Sequence, residues 1–141
     1  MAILQLDQSS AVPYPGKVFV IRDRIHSRAI TLIDGTLKLM DDSNATGNCN
    51  WACIETDIYF GFCNKASKCY IGHNGRGKVI CAAAKHDSHE SIIARPHPDG
   101  GYELLMSHWG NKLLVGIAED GESLIATDQE GVTWDFTVVS T

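Results

Sequence analysis

Short apolar or alternating runs, separated by turn-forming residues, follow one another along the chain from about residue 17 to residue 140. Gly, Asp and Asn cluster between the runs, a pattern that is typical of β-strands joined by turns. The predicted strands are Val18–Ile21, Ala29–Ile33, Thr36–Met40, Trp51–Ile54, Tyr59–Cys63, Lys68–Gly72, Lys78–Cys81, Ser91–Ala94, Tyr102–Met106, Lys112–Ile117, Glu122–Ala126 and Thr133–Val139.

The strand pattern occurs three times. The separations Phe19 to Trp51, Tyr59 to Ser91 and Tyr102 to Trp134 are each 32 residues, and the copies begin 40 and 43 residues apart. A period in this range indicates a repeat architecture. We therefore expect a single domain with repeats at about 17–57, 58–100 and 101–141, preceded by an extended lead-in over 1–16 that carries Pro13 and Pro15.

Three copies of four short strands, without a predicted helix, resemble the β-trefoil over about residues 17–140. The resemblance implies an all-β fold in which twelve strands form a closed barrel with three hairpins and pseudo-threefold symmetry. Closure removes the exposed strand edges that twelve short strands would otherwise present. Propeller blades also have four strands, but three blades fall below the usual range of about 4–8.

Composition narrows the function classes. The chain has 141 residues, 44% of them hydrophobic, and a formal net charge of −5. No cluster of Lys and Arg stands out, which argues against nucleic acid as the partner. No apolar run approaches the ~18 residues of a membrane span. The first residues lack the features of a secretory signal and the five cysteines are odd in number, so we expect free thiols and a cytoplasmic protein.

Alternation also predicts a core. The residues expected to face inward are Phe19, Ile21, Leu37, Leu39, Cys53, Tyr59 or Phe60, Ile71, Val79, Ile93, Leu104, Leu113, Val115, Leu124, Trp134, Phe136 and Val138. Trp51 and Trp134 stand at equivalent positions of two repeats and are expected in the core. A register error of one residue would reverse the faces.

Within the β-trefoils, the chain shows a distant resemblance to fungal ricin-B-like lectins and to fascin-like trefoils. Ricin-B-type repeats carry Gln-x-Trp and a sugar-binding aspartate. No Gln-x-Trp occurs here, and Ile71 and Val115 stand where that aspartate belongs. A galactose site of the ricin type is therefore not supported. The Lys-hydrophobic-hydrophobic pattern of repeats two and three is closer to fascin-like and divergent fungal trefoils.

A sugar site can still form in a turn. Sugar sites combine an aromatic face, which covers the C–H side of the ring, with side chains that bond hydroxyl groups. The turn between the first two strands of repeat three offers this set, and an acidic loop follows the third strand. The candidate ligand-binding residues are His108, Trp109, Asn111, Asp128 and Gln129. The alternative is that Trp109 packs under the hairpin and His108 is solvated.

Metal binding and catalysis are not expected. Cys63, Cys69, Cys81, His86 and His89 lack the tight Cys pairs of structural zinc sites. Cys63 and Cys69 flank one hairpin, so an oxidised pair stays open. No phosphate-binding loop or nucleophile elbow occurs, and we assign no catalytic residue, metal or cofactor.

The leading hypothesis is a non-catalytic, carbohydrate-binding lectin of fungal type, with glycans or glycoproteins as partners. The alternative is a protein-binding trefoil, either a protease inhibitor that uses a loop such as 41–50 or a fascin-like cytoskeletal module. A homodimer stays open.

Overall fold

The computed structural model describes residues 11–41, 47–56, 59–86, 88–108, 110–129 and 132–139. Two short 3₁₀ helices, Gly47–Cys49 and Ser88–Glu90, occur in these ranges, and no helix within them is long and apolar enough to cross a membrane. The strands are β1 (Val18–Asp23), β2 (Ala29–Ile33), β3 (Thr36–Met40), β4 (Trp51–Thr56), β5 (Tyr59–Asn64), β6 (Tyr70–His73), β7 (Val79–Ala83), β8 (Ile92–Pro96), β9 (Tyr102–His108), β10 (Asn111–Ile117), β11 (Leu124–Thr127) and β12 (Trp134–Val138).

Six of the strands close a ring. Antiparallel pairing runs from β12 to β1, β4, β5, β8 and β9, and β9 returns to β12. Every ring strand therefore has a neighbour on both sides, and the ring has no open edge. The first and last strands of each repeat supply this barrel.

The other six strands form three hairpins, β2–β3, β6–β7 and β10–β11. The hairpins meet through the bridges Lys38↔Ser123 and Lys78↔Ile125. Six barrel strands with three hairpins make this protein a β-trefoil, as the strand count and the repeat predicted.

The observed strand pairing confirms the 32-residue separation and shifts its position in repeat two by one residue. Phe19 pairs with Trp51, Phe60 with Ile92 and Tyr102 with Trp134. Each pair is again 32 residues apart, but the second pair lies one residue beyond the predicted Tyr59 and Ser91. Two adjacent aromatic residues fit the alternating pattern equally well, so the sequence alone did not fix the register.

The core lies inside the ring and under the hairpins. Trp51 and Trp134 are both fully buried, as predicted, and each donates its indole N–H to a carbonyl of the second strand of its own repeat. Ile92 takes the equivalent place in repeat two and is also fully buried. The phenyl rings of Phe19 and Phe136 meet edge to face, with centroids 5.5 Å apart.

Two core predictions are wrong. Ile93 is only partly buried, because the one-residue shift of repeat two turns Ile92 inward instead. Val138 is 48% exposed, since it ends the last strand beyond the buried Trp134 and Phe136. Leu113 and Phe60 pack against the core while partly buried, and Tyr59 is also partly buried. The remaining predicted core residues are buried.

Candidate functional site

The turn between β1 and β2 is built around a buried carboxylate. Asp23 is fully buried, and its two oxygens accept the backbone N–H groups of His26 at 2.7 Å and Arg28 at 2.8 Å. Ser27 adopts a positive φ of 59° within this turn. Local hydrogen bonds from a short polar side chain stabilise such a turn.

The β5–β6 turn repeats this design with an amide. Asn64 is fully buried, and its Oδ1 accepts the N–H groups of Ala66 at 3.0 Å and Ser67 at 3.1 Å. Its Nδ2 donates to the carbonyl of Asn48 at 2.8 Å. Lys68, with φ of 66°, takes the place of Ser27. Both turns thus use a buried polar side chain for structure.

The third turn, between β9 and β10, is tighter. His108 pairs directly with Asn111, so two residues connect the strands. Gly110 has a φ of 82°, a conformation that suits glycine in a two-residue hairpin. Trp109, the aromatic residue of the predicted sugar site, lies outside the described residues.

The remaining predicted site residues lie at one end of the β9–β10–β11 sheet. Thr127 pairs with Leu114, so Asp128 and Gln129 continue toward the end at which Asn111 begins β10. All three polar residues are exposed, and Gln129 Nε2 donates to Asp128 Oδ1 at 3.0 Å. Their role in binding a ligand stays a prediction.

His108 belongs to a cluster of three histidines that were not predicted to lie together. It is half-buried and meets the buried His73, with ring centroids 5.2 Å apart, and the exposed His89, at 6.4 Å. His73 and His89 stack at 4.3 Å. One ligand nitrogen from each ring lies within 4.8 Å of the others. We call these three residues the histidine cluster.

The cysteines and histidines that the sequence analysis weighed as metal ligands have different contact partners in the structure. The two ring nitrogens of His86 lie 3.1 Å from Thr56 Oγ1 and 3.0 Å from the carbonyl of Phe60. The thiols of Cys69 and Cys81 contact each other at 2.7 Å, whereas Cys63 hydrogen-bonds Tyr70. None of the five cysteines forms a disulfide bond. The thiol in contact with that of Cys69 is therefore Cys81.

A polar cleft of about 230 Å³ lies where repeat one meets repeat three. The β1–β2 turn forms one wall, the β8–β9 turn another, and the segment before β12 a third. The cleft is lined by Arg24, Ile25, His97, Asp99, Gly100, Glu103, Val132 and Thr133. We call it the Arg24 cleft.

The walls of the Arg24 cleft are fixed by hydrogen bonds and ion pairs. The guanidinium of Arg24 binds Asp135 at 2.8 Å, and its backbone N–H donates to the carbonyl of Thr133. Arg95 donates twice to Oε1 of Glu103, at 2.9 and 2.7 Å. The Nδ1 of His97 accepts the N–H of Asp99, so a neutral ring carries its proton on Nε2.

Close packing at Gly101 brings the β8–β9 turn against Arg24. A Cβ at Gly101 would lie 2.6 Å from Arg24 Cδ and 3.0 Å from the carbonyl oxygen of Trp134. Gly101 also has a φ of 75°. Glycine therefore lets the β8–β9 turn approach the Arg24 side chain and β12.

The cleft residues are not among the predicted site residues. The polar character of the turns 24–28 and 95–101 was visible in the sequence, but the two turns are about 70 residues apart. Only closure of the ring, which places β12 between β1 and β9, brings them together.

Solved structures share this fold. A GlcNAcα1-4Gal releasing endo-β-galactosidase from Clostridium perfringens is similar over 89% of this chain and 33% of its own length, with a TM-score of 0.78 and 15% identity. SeviL bound to asialo-GM1 saccharide is similar over 88% of this chain and 98% of its own, with a TM-score of 0.73 and 15% identity.

The designed threefold-symmetric protein ThreeFoil is similar over 88% of this chain and 99% of its own, with a TM-score of 0.71 and 16% identity. This chain thus spans a third of the endo-β-galactosidase and nearly all of the other two proteins. No family model and no curated protein matches the chain by sequence. At these identities, the comparisons establish the β-trefoil fold.

Proposed function

We propose that this β-trefoil is a non-catalytic carbohydrate-binding protein and that the Arg24 cleft binds the sugar. The observation that carries the proposal is the mixture of groups in the cleft. An exposed aliphatic side chain stands beside two carboxylates, a guanidinium and an imidazole within a single concave surface of about 230 Å³. Small-molecule sites combine a concave surface with a few convergent polar groups.

The apolar part of the cleft suits the C–H face of a sugar ring. Ile25 is 69% exposed at the tip of the β1–β2 turn, and Val132 lines the cleft as well. Together these two side chains give one part of the cleft an aliphatic surface. Aliphatic contact is weaker than aromatic stacking, so we expect modest affinity for a single sugar unit.

The polar part of the cleft suits hydroxyl groups. Asp99 is exposed and offers carboxylate oxygens as acceptors. Arg95 binds Oε1 of Glu103, and no described residue donates to its Oε2. Arg24 and His97 supply N–H donors. Acceptors and donors within one cleft can bond adjacent hydroxyl groups, which both donate and accept.

The comparisons support this proposal at the level of the fold. SeviL is bound to a saccharide in its solved structure, and it shares this fold over nearly its whole length. One fold hosts many functions, so the residues of the cleft must carry the assignment for this chain. The predicted turn site around His108, Asn111, Asp128 and Gln129 is a second location to test.

Two buried thiols are poorly suited to nucleophilic catalysis, which supports the proposal of a non-catalytic protein. Burial raises the pKa of Cys53 to about 12, and it also raises the pKa of Cys81. A thiol with a raised pKa is a poor nucleophile at neutral pH. We further propose a cytoplasmic location, because none of the five cysteines forms a disulfide bond and reducing compartments preserve thiols.

A glycan array followed by calorimetry tests the function and its location. We expect glycan binding that Asp99→Ala and Glu103→Gln abolish while the melting temperature shows that both variants fold. Asp128→Asn is the matched control, because it removes an exposed carboxylate from the predicted turn site instead. Binding should survive in this control.

Two results would contradict the proposal. Loss of glycan binding in Asp128→Asn and Trp109→Ala, with the cleft variants unaffected, would move the site to the turn of repeat three. Absence of glycan binding, together with inhibition of a protease in a parallel panel, would replace the carbohydrate function with that of a protein-binding trefoil.

A further inference from the structure

The histidine cluster joins three separate segments of repeats two and three. His73 ends β6, His89 lies in the 3₁₀ helix Ser88–Glu90, and His108 ends β9. One ligand nitrogen from each ring lies within 4.8 Å of the other two. No residue of the cluster lines the Arg24 cleft, so the two sites can be tested independently.

Hydrogen bonds fix the tautomer of His73. The carbonyl of Ser107 can only accept, and it lies 2.8 Å from His73 Nε2. The N–H of Gly75 can only donate, and it lies 3.1 Å from His73 Nδ1. The proton is therefore on Nε2, and the lone pair on Nδ1 points toward the Gly75 turn.

A histidine that binds a metal ion through Nδ1 needs this tautomer, with its proton on Nε2. A ligating histidine usually donates its second ring N–H to a carbonyl or carboxylate, which orients the ring. Ser107 already serves that purpose for His73. The bond from Gly75 to Nδ1 is neutral and at the long end of the usual range, so a cation can replace it.

Gly75, whose N–H meets His73 Nδ1, also lies beside the other two rings. A Cβ built at Gly75 would lie 3.6 Å from His108 Cε1 and 3.8 Å from His89 Cε1. The residue whose amide meets His73 Nδ1 is thus in contact range of both remaining histidines. With a φ of 79°, Gly75 sits in a turn that glycine suits best.

The surroundings of His73 lower the pKa of its ring. Burial lowers the pKa of His73, and the nearby His89 and His108 lower it as well, while the bond to Ser107 acts in the opposite direction. Three imidazolium groups at these distances would repel one another. Neutral imidazole is the form that binds a metal ion.

We propose that His73, His89 and His108 bind one divalent transition-metal ion of the zinc type. Three neutral nitrogen ligands with one open position are a common zinc coordination set. A tetrahedral site with Zn–N distances of about 2.1 Å places its ligand nitrogens about 3.4 Å apart. The nitrogens must therefore approach by about 1.4 Å at most, through rotation of the exposed His89 and the half-buried His108.

Titration calorimetry of the tag-free protein with Zn²⁺ tests the site. We expect one ion per chain, and a melting temperature that rises by about 8 °C at a free Zn²⁺ concentration of one hundred times Kd. His89→Ala and His108→Ala should each remove both the heat of binding and the thermal shift. His26→Ala is the matched control, because its side chain is 63% exposed and lies in the β1–β2 turn.

Co²⁺ in place of Zn²⁺ distinguishes histidine ligands from the thiols. A site made of three histidines should give the visible absorption of tetrahedral Co²⁺ without a thiolate charge-transfer band, and Cys69→Ser should leave this spectrum unchanged. A charge-transfer band, stoichiometric binding that persists in both histidine variants, or the absence of Zn²⁺ binding by the folded wild-type protein would each overturn the assignment.

Discussion

The interior of the barrel and the turns at its rim follow the threefold repeat to different degrees. Trp51 and Trp134 occupy matching buried positions, and Ile92 fills the third. At the rim, by contrast, Asp23 organises one turn, Asn64 a second, and the third is a two-residue hairpin. The interior must fill one shared volume, whereas each turn needs only to satisfy its own backbone groups.

The largest effect is expected in the interior. Trp134→Ala should lower the free energy of unfolding by about 3–5 kcal/mol, because it leaves a cavity among fully buried neighbours. Urea denaturation measures the loss. Trp51→Ala should cost a similar amount if the repeats are equivalent.

Trp109→Ala is the control for these two variants, and the sequence predicts that it leaves stability nearly unchanged. Two unlike values for Trp51 and Trp134, or a mild effect of both, would contradict the equivalence of the buried positions.

The β1–β2 and β5–β6 turns should lose different amounts of stability when their buried polar side chains are changed. Asp23→Ala should destabilise by about 3 kcal/mol, since it leaves two backbone N–H groups without their side-chain acceptors. Asp23→Asn should cost about 2 kcal/mol, because the amide oxygen can accept one of the two N–H groups while the amide nitrogen would face the other.

The reverse exchange, of an amide for a carboxylate at Asn64, tests whether the two turns are equivalent. Asn64→Asp should cost more than Asp23→Asn, because Asn64 Nδ2 donates to the carbonyl of Asn48 and a carboxylate would face that oxygen. Urea denaturation of the two single variants gives both values. Equal costs would mean that the turns are interchangeable after all.

Two glycines at the rim differ in their surroundings. Gly101→Ala should cost about 2–3 kcal/mol, because its Cβ would meet Arg24 and the carbonyl of Trp134 at a positive φ. Gly110→Ala has a similar φ but meets no atom of the described residues within 4 Å, so about 1 kcal/mol is expected. Thermal denaturation of the pair compares them, and equal losses would exclude close packing as the cause at Gly101.

The smallest effect concerns the thiols of repeat two. Hydrogen peroxide should join Cys69 to Cys81, with loss of one hydrogen from each thiol and reduction of the peroxide to water, because their sulfurs are in contact. Burial raises the pKa of Cys81, so oxidation should be slow at neutral pH and faster as the pH rises. Peptide mass spectrometry identifies the pair, and a Cys63–Cys69 product would contradict the structure.

The fold was predictable because each repeat carries its own strand and turn signals. The boundaries of β2 and β3 were predicted to the residue, since the Asp34–Gly35 turn stands between two apolar runs. The register of repeat two was not, because Tyr59 and Phe60 are both aromatic and a sequence pattern cannot say which of them faces inward.

The candidate sites were less predictable, because both depend on contacts between repeats. His73 and His108 are 35 residues apart, and no local spacing relates them to His89. Arg24 and Asp99 line one cleft only because β12 pairs with both β1 and β9. The predicted residues of the β9–β10 turn were selected by local composition, which reports side-chain chemistry but not its neighbours in space.

Ring closure also determines how the molecule opens. Each repeat contributes its outer strands to pairings with both neighbours, so one repeat cannot detach without breaking ladders on two sides. The amide hydrogens of the six ring strands should therefore exchange with solvent together, in one global event. An isolated repeat would be left with unpaired edges, and it should fold only by assembling with two others.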